Sequence, residues 1–234
     1  MSDVVIAIVA VLCGFAVGVA IDRAIAREAP EPRVTGRGRT AAHAALFTAS
    51  GGAFGIIAFL SARTAGFGMA APGELPVAFT LSTGALLLVA ATSIALTVID
   101  VRTHRLPNAI VLPALGATTA LLAASCLFGA LWSAFARAVT AGIVLFLFFA
   151  ALRFVGRGAM GGGDVKFAAL VGLVLGWGGW TAVLAGVLAA FLLGGLVGLA
   201  LILARRADRT TRIPFGPFLA AGTWIGTIAE GATV

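Results

Sequence analysis

The chain is a succession of apolar runs separated by short polar connections, with no stretch that sustains an apolar/polar alternation. A helix crossing the hydrocarbon core of a bilayer needs about 20 apolar residues, each rising about 1.5 Å. Measured that way, the runs are Val4–Ile21, Ala41–Ala62, Pro76–Ile99, Ala109–Phe128, Ser133–Phe154, Val165–Leu175, Trp180–Ala204 and Phe215–Ala229. Backbone in lipid must satisfy its own hydrogen bonds, which helices do within one segment. The pattern therefore predicts an all-α, polytopic integral membrane protein with about eight transmembrane or membrane-embedded helices. The sixth run is about half a normal span. It is either a half-helix or extends into the glycines beside it, and periodicity does not choose between the two.

Composition agrees with one membrane domain over 1–234. Of 234 residues, 61% are hydrophobic and 11% charged, with a mean hydropathy of +1.11, which excludes an ordinary soluble domain. A net charge of +7 in a soluble chain would point to nucleic acid; here its placement argues for no nucleic acid and for a membrane. Arg23, Arg27, Arg33, Arg37 and Arg39 fill the first connection, Arg102 and Arg105 the third, Arg153, Arg157 and Lys166 the fifth, and Arg205, Arg206, Arg209 and Arg212 the seventh. The even-numbered connections hold Arg63 and, just inside the fifth run, Arg137. Basic residues mark cytoplasmic loops, so both termini are expected outside a cell inner or plasma membrane. Trp132, Trp177, Trp180 and Trp224 then fall toward the outer ends, where an interfacial anchor belt is expected. Residues 1–21 lack a basic first segment and a small-residue cleavage site, and read as a retained span. The two cysteines, Cys13 and Cys126, lie in predicted spans and supply neither a disulfide framework nor a paired zinc motif.

Two carboxylates stand out. Asp100 closes the third run, and Asp164 opens the sixth after Gly161, Gly162 and Gly163; the topology puts both at one face and similar depth. Acids beside hydrocarbon are costly and mark candidate functional sites. The glycines would allow positive φ and close backbone approach, and the start of the sixth helix would favour an anion at Asp164. Two carboxylates brought together share a proton, leaving one as base and one as acid. The plainer alternative, interfacial stop residues beside a flexible turn, stays open on these grounds.

The wording around the acids is more specific. Asp100 with Pro107 and Asn108 downstream, Gly-x-Gly-Asp at 161–164, and IPFGPFLAAG at 213–222 occur in the order found in the type IV prepilin peptidase family, which this chain resembles from about Ala91 onward. The resemblance implies a peptidase core over 91–234 and divergent N-terminal helices over 1–90. It implies an aspartic endopeptidase that cuts the basic leader from prepilin or pseudopilin precursors at the cytoplasmic face, with Asp100 and Asp164 catalytic and Gly161 and Gly163 structural. Pro107, Asn108, Lys166, Pro214, Phe215, Gly216 and Pro217 match motif positions and are given shape rather than chemistry. Long members of the family resemble one another in a zinc-binding cysteine insert associated with N-methylation of the product. This chain looks like a short form without those cysteines, for which the expectation is cleavage alone, with no cofactor and no metal.

Two other classes are weighed against this one. Presenilin-like Gly-x-Gly-Asp proteases resemble a Tyr-Asp first motif, whereas this chain has Ile99-Asp100 and then a basic loop. A proton- or cation-coupled transporter would hold its acids nearer the midplane, often within an inverted repeat, and no repeat is visible. Lys166 is the one lysine among 16 basic residues. It lies about 200° round a helix from Asp164 and is expected to snorkel or to meet a membrane lipid phosphate. His104 and His43 are expected in a solvated loop and at an interface. Gly14 with Gly18, and Gly194 with Gly198, have the small-xxx-small spacing of helix contacts.

Overall fold

The computed structural model describes residues 76–103, 106–156, 160–205 and 214–231. The first two predicted runs, Cys13, His43, His104 and the pair Gly14/Gly18 lie outside them. The described residues belong to one compact unit, Thr64–Val234. They form six helices: α1 (Pro76–Thr103), α2 (Asn108–Gly129), α3 (Trp132–Val155), α4 (Gly162–Gly178), α5 (Trp180–Leu203) and α6 (Gly216–Gly231). Four of these are long and apolar enough to cross a membrane, namely Val77–Val101, Asn108–Gly129, Trp132–Val155 and Trp180–Leu203. The protein is an all-α, polytopic membrane protein.

Helix ends follow local chemistry. Pro107 begins α2, its carbonyl accepting from the amides of Ile110 and Val111 at 3.1 and 3.2 Å, while proline's missing N–H and fixed φ suit the entry to a helix. Ala130 adopts a left-handed φ of 52° and closes α2 by donating its amide to the Cys126 carbonyl at 3.0 Å. Buried hydroxyls bond back along their own helices: Ser82 to Ala78, Thr223 to Leu219, and Thr227 to Thr223. These three hydroxyls are thereby carried into an apolar interior with their donors used, whereas the buried hydroxyls of Ser93 and Thr118 have no partner among the described residues. Cys126 does the same toward Leu122, as a small buried residue.

The short sixth run resolves as a 17-residue helix, α4, extended into the glycines on both sides. At about 1.5 Å per residue it is roughly 25 Å long, less than a bilayer core. Its apolar residues surround the axis, and a helix apolar all round belongs in the interior. α4 indeed packs against all five other described helices, and Phe167 to Trp177 are buried without a break. The seam with α3 is made of small residues. A Cβ on Gly172 would sit 2.6 Å from the Ala141 carbonyl oxygen, and one on Gly176 would sit 2.9 Å from the Ala138 Cα. α5 and α6 meet in the same manner, where a Cβ on Gly226 would lie 2.5 Å from the Ala182 carbonyl oxygen. Between apolar helices in lipid there is little hydrophobic drive, so close backbone approach and dispersion carry the association. Gly194 also turns toward α6, where a Cβ would lie 3.3 Å from the Phe215 ring and 3.4 Å from the Phe218 ring.

The interfacial tryptophan expectation holds unevenly. Trp132 and Trp180 are half exposed, but Trp177 is fully buried at the end of α4. Beside it, Arg137 donates to the carbonyls of Gly176, Trp177 and Gly178 at 2.7, 2.8 and 3.0 Å. These are last-turn carbonyls without intrahelical partners, at the negative end of the helix dipole. Arg137 interrupts the apolar pattern of α3 because it caps α4.

Candidate active site

Asp100 and Asp164 come from the same end of the bundle. α1 does not stop at Asp100 but runs to Thr103, so the acid lies within the helix and is only 4% exposed. Asp164 lies in the first turn of α4 and is 7% exposed. The two carboxylates are within coulombic range of each other, and Asp164 is also within range of the opposite charge of Arg153.

Each acid is held by one oxygen and a glycine amide. Gly216, the first residue of α6, donates its N–H to Oδ2 of Asp100 at 3.0 Å. Gly161 donates to Oδ2 of Asp164 at 3.2 Å. The Asp164 bond is half of a capping box, in which an acid in the first turn reaches back to the amide just before the helix. Oδ1 of Asp164 is buried and has no hydrogen-bond partner. A buried oxygen left in that state is costly in a folded protein and calls for an explanation in function or bound water.

The glycine run works by space rather than by unusual dihedrals. Gly161 has φ −65° and ψ 143°, ordinary extended backbone, so the expectation of positive φ is not met there. Gly163 is required because a Cβ would collide with Leu106, whose carbonyl oxygen would stand 3.0 Å away. This contact presses the turn before α2 onto the start of α4. A Cβ on Gly161 would lie 3.0 Å from Oδ2 of Asp164. At Gly216 it would lie 2.7 Å from Oδ2 of Asp100, so only glycine brings its amide this close.

Lys166 does not merely snorkel. Its Nζ donates to Oδ1 of Asn108 at 2.8 Å, tying the first turn of α2 to α4. Asn108 thereby gains a partner that motif position alone did not reveal. Phe215 packs against Phe149 and Phe191, with ring centroids 5.8 and 5.3 Å apart, and its carbonyl accepts from Phe218 and Leu219 as α6 begins. Pro217 falls in that first turn, where a missing N–H costs nothing. Pro214 precedes the helix and is half-buried. The aromatic anchor fixes Gly216, and through it Asp100. Sequence reasoning did not single out Leu106, Phe149 or Arg153 for this end of the bundle; Arg153 donates to the Met160 carbonyl at 2.9 Å just before the glycine run. Among the described residues no group of three His, Cys, Asp or Glu side chains is placed to hold a metal ion.

A helical membrane protein with two buried, glycine-braced acids at one end defines the class. Residues 87–199 match the type IV leader peptidase family. The chain is 36% identical over 152 residues to a Pseudomonas aeruginosa protein named prepilin leader peptidase/N-methyltransferase, covering 64% of this chain and 51% of that one. An Aeromonas hydrophila protein of the same name is 36% identical over 162 residues, covering 66% and 54%. A third, from Bacillus subtilis, is 37% identical over 78 residues, covering 33% and 30%. Over these residues the chain is similar to the type IV leader peptidase family. It spans about half the length of the first curated relatives it matches. No solved structure matches it.

Proposed function

We propose that the protein is an aspartic endopeptidase that removes the basic leader from prepilin or pseudopilin precursors. The observation that carries the reading is the pairing itself: two buried acids within coulombic range, each anchored through one oxygen, with Oδ1 of Asp164 unbonded. Like charges so placed cannot both ionise cheaply, so the pair works with one proton between its two carboxyl groups. The ionised carboxylate takes a proton from water as its oxygen bonds to the scissile carbonyl carbon. The protonated acid gives its proton to the carbonyl oxygen. When the tetrahedral intermediate collapses, one of its hydroxyls returns a proton to the second carboxylate, the C–N bond breaks, and the leaving nitrogen takes the proton held by the first carboxyl, restoring both acids. Chemistry of this kind needs two carboxyl groups and a water, and no cofactor or methyl transfer enters the proposal.

The acids share their end of the bundle with Arg153, Lys166 and Arg205. Basic residues collect on the cytoplasmic side, which supports a site at the cytoplasmic face of the inner or plasma membrane and both termini outside. A precursor with one span and a positive leader would present its cleavage point there. Co-expression with leader-bearing pilins, in a host without another such peptidase, tests the reading. Shortened pilin is expected with the natural chain and none with Asp100→Asn or Asp164→Asn at equal membrane abundance. Processing by either variant would remove that acid from the pair.

A further inference from the structure

Beside the acids, between the end of α3 and the start of α4, lies an open cleft of about 590 Å³. Its lining divides into two chemistries. Phe146, Ala150, Phe154 and Val165 form an apolar wall, while Arg153 and Lys166 stand at its basic end. Phe154 is 86% exposed and Phe146 is 40% exposed, so the wall faces outward from the bundle into the space that acyl chains fill. Both cations hold donors in reserve. Arg153 commits one nitrogen to the Met160 carbonyl, and Lys166 gives one bond to Asn108; a guanidinium has five N–H donors and an ammonium three. Gly162, in the first turn of α4, lines the same cleft and brings the positive end of the helix dipole to it.

We propose that this cleft binds one anionic phospholipid, its phosphate between Arg153 and Lys166 and one acyl chain along Phe146, Ala150 and Phe154. Charge complementarity selects the occupant. A zwitterionic headgroup would bring a cation toward two cations, and an uncharged amphiphile would leave their donors to water. Basic pockets between membrane helices at the cytoplasmic side have the chemistry for anionic headgroups, and the volume falls within the roughly 300–1,000 Å³ of ordinary ligand sites. Occupancy also bears on the acids. Arg153 donates to the Met160 carbonyl just before the glycine run, so a phosphate on Arg153 would bear on the segment that leads into Asp164. The binding claim stands apart from the peptidase reading and is tested without cleavage.

The test uses the full chain, extracted and exchanged into nanodiscs of phosphatidylcholine mixed with phosphatidylglycerol, followed by native mass spectrometry of the released protein. One phosphatidylglycerol per chain is expected to stay bound, well above phosphatidylcholine. Each of Arg153→Gln and Lys166→Gln is expected to lower retention about fivefold, following about 1 kcal/mol per basic residue near an anionic surface. Arg205→Gln, an exposed cation outside the cleft, is the control and should not change it. Ala150→Phe keeps both cations but fills the acyl groove, and should also release the lipid; it guards against a charge variant that fails to fold. An excess of inorganic phosphate is expected not to displace the lipid. Displacement by inorganic phosphate would show a free-anion site instead. Equal retention of the two lipids, or retention unchanged in Ala150→Phe and in both charge variants, would overturn the proposal.

Discussion

The amide of Gly216 donates to Oδ2 of Asp100 at 3.0 Å across 116 residues of chain, joining the first and last described helices at the acid pair. The bond works because residue 216 has no side chain; a Cβ would lie 2.7 Å from the same oxygen. Gly216→Ala must therefore push the carboxylate or the start of α6 aside by several tenths of an ångström or more. Displacement of a reacting group by about 1 Å costs on the order of 10²-fold in rate. Gly216→Ala is expected to reach the membrane normally and to process precursor about 10²-fold more slowly, as followed by quantitative immunoblot over time. Full activity in this variant would mean that the Gly216 amide does not position Asp100.

The two acids are expected to fail as a unit. Because each role needs the other carboxyl group, Asp100→Asn with Asp164→Asn should be little worse than either change alone. Single-turnover cleavage by purified protein, compared across both single variants and the double, reads this directly. Losses that multiply would indicate two independent contributions rather than one shared proton.

The bond from Lys166 to Asn108 ties the start of α4, which carries Asp164, to the first turn of α2, at 2.8 Å and in an exposed position. Exposed charged contacts contribute little to stability, typically below about 1 kcal/mol. Its expected effect is consequently on alignment: Lys166→Met and Asn108→Ala should each slow processing several-fold while barely changing the melting temperature. Paired variants in a double-mutant cycle should show the losses are not additive. Additive losses would mean that the two side chains act separately.

How much of this was legible beforehand depends on what each feature draws on. Helices α1, α2, α3 and α5 were visible because unbroken apolar length is a sufficient signal for membrane helices; their ends match the predicted runs to within a few residues. Asp100 and Asp164 were visible because acids beside hydrocarbon are rare. The reason for the glycines was not. Gly163 and Gly216 are fixed by what approaches them, Leu106 in one case and Asp100 in the other, and no local pattern encodes a partner far along the chain. The bond from Lys166 to Asn108 was hidden for the same reason, since Asn108 sits on another helix. Trp177 was placed by its position in sequence, near an outer end, when the central packing of α4 decides its burial.

Arg137 is the clearest case of a residue whose purpose is invisible in sequence. By position it was one of two basic residues assigned to the even-numbered connections, yet its guanidinium closes the last turn of α4 with bonds of 2.7, 2.8 and 3.0 Å. α4 is the helix that presents Asp164, and among the described helices it is the one packed against all the others. Removing the cation would leave three carbonyls without their donors beside a buried tryptophan. Breaking a partly buried, charge-assisted contact of this kind costs about 1.5–3 kcal/mol. Arg137→Met is accordingly expected to lower the melting temperature of the detergent-solubilised protein by several degrees. Arg137→Lys, which restores the charge but not the planar fork that reaches several carbonyls at once, should recover only part of that loss. At a temperature where Arg137→Met is still folded, cleavage should remain within a few-fold of the natural chain, because the cap lies at the far end of α4 from Asp164. A large loss of cleavage in folded Arg137→Met, with the melting temperature unchanged, would show instead that the cap sets the position of Asp164 rather than the stability of the helix.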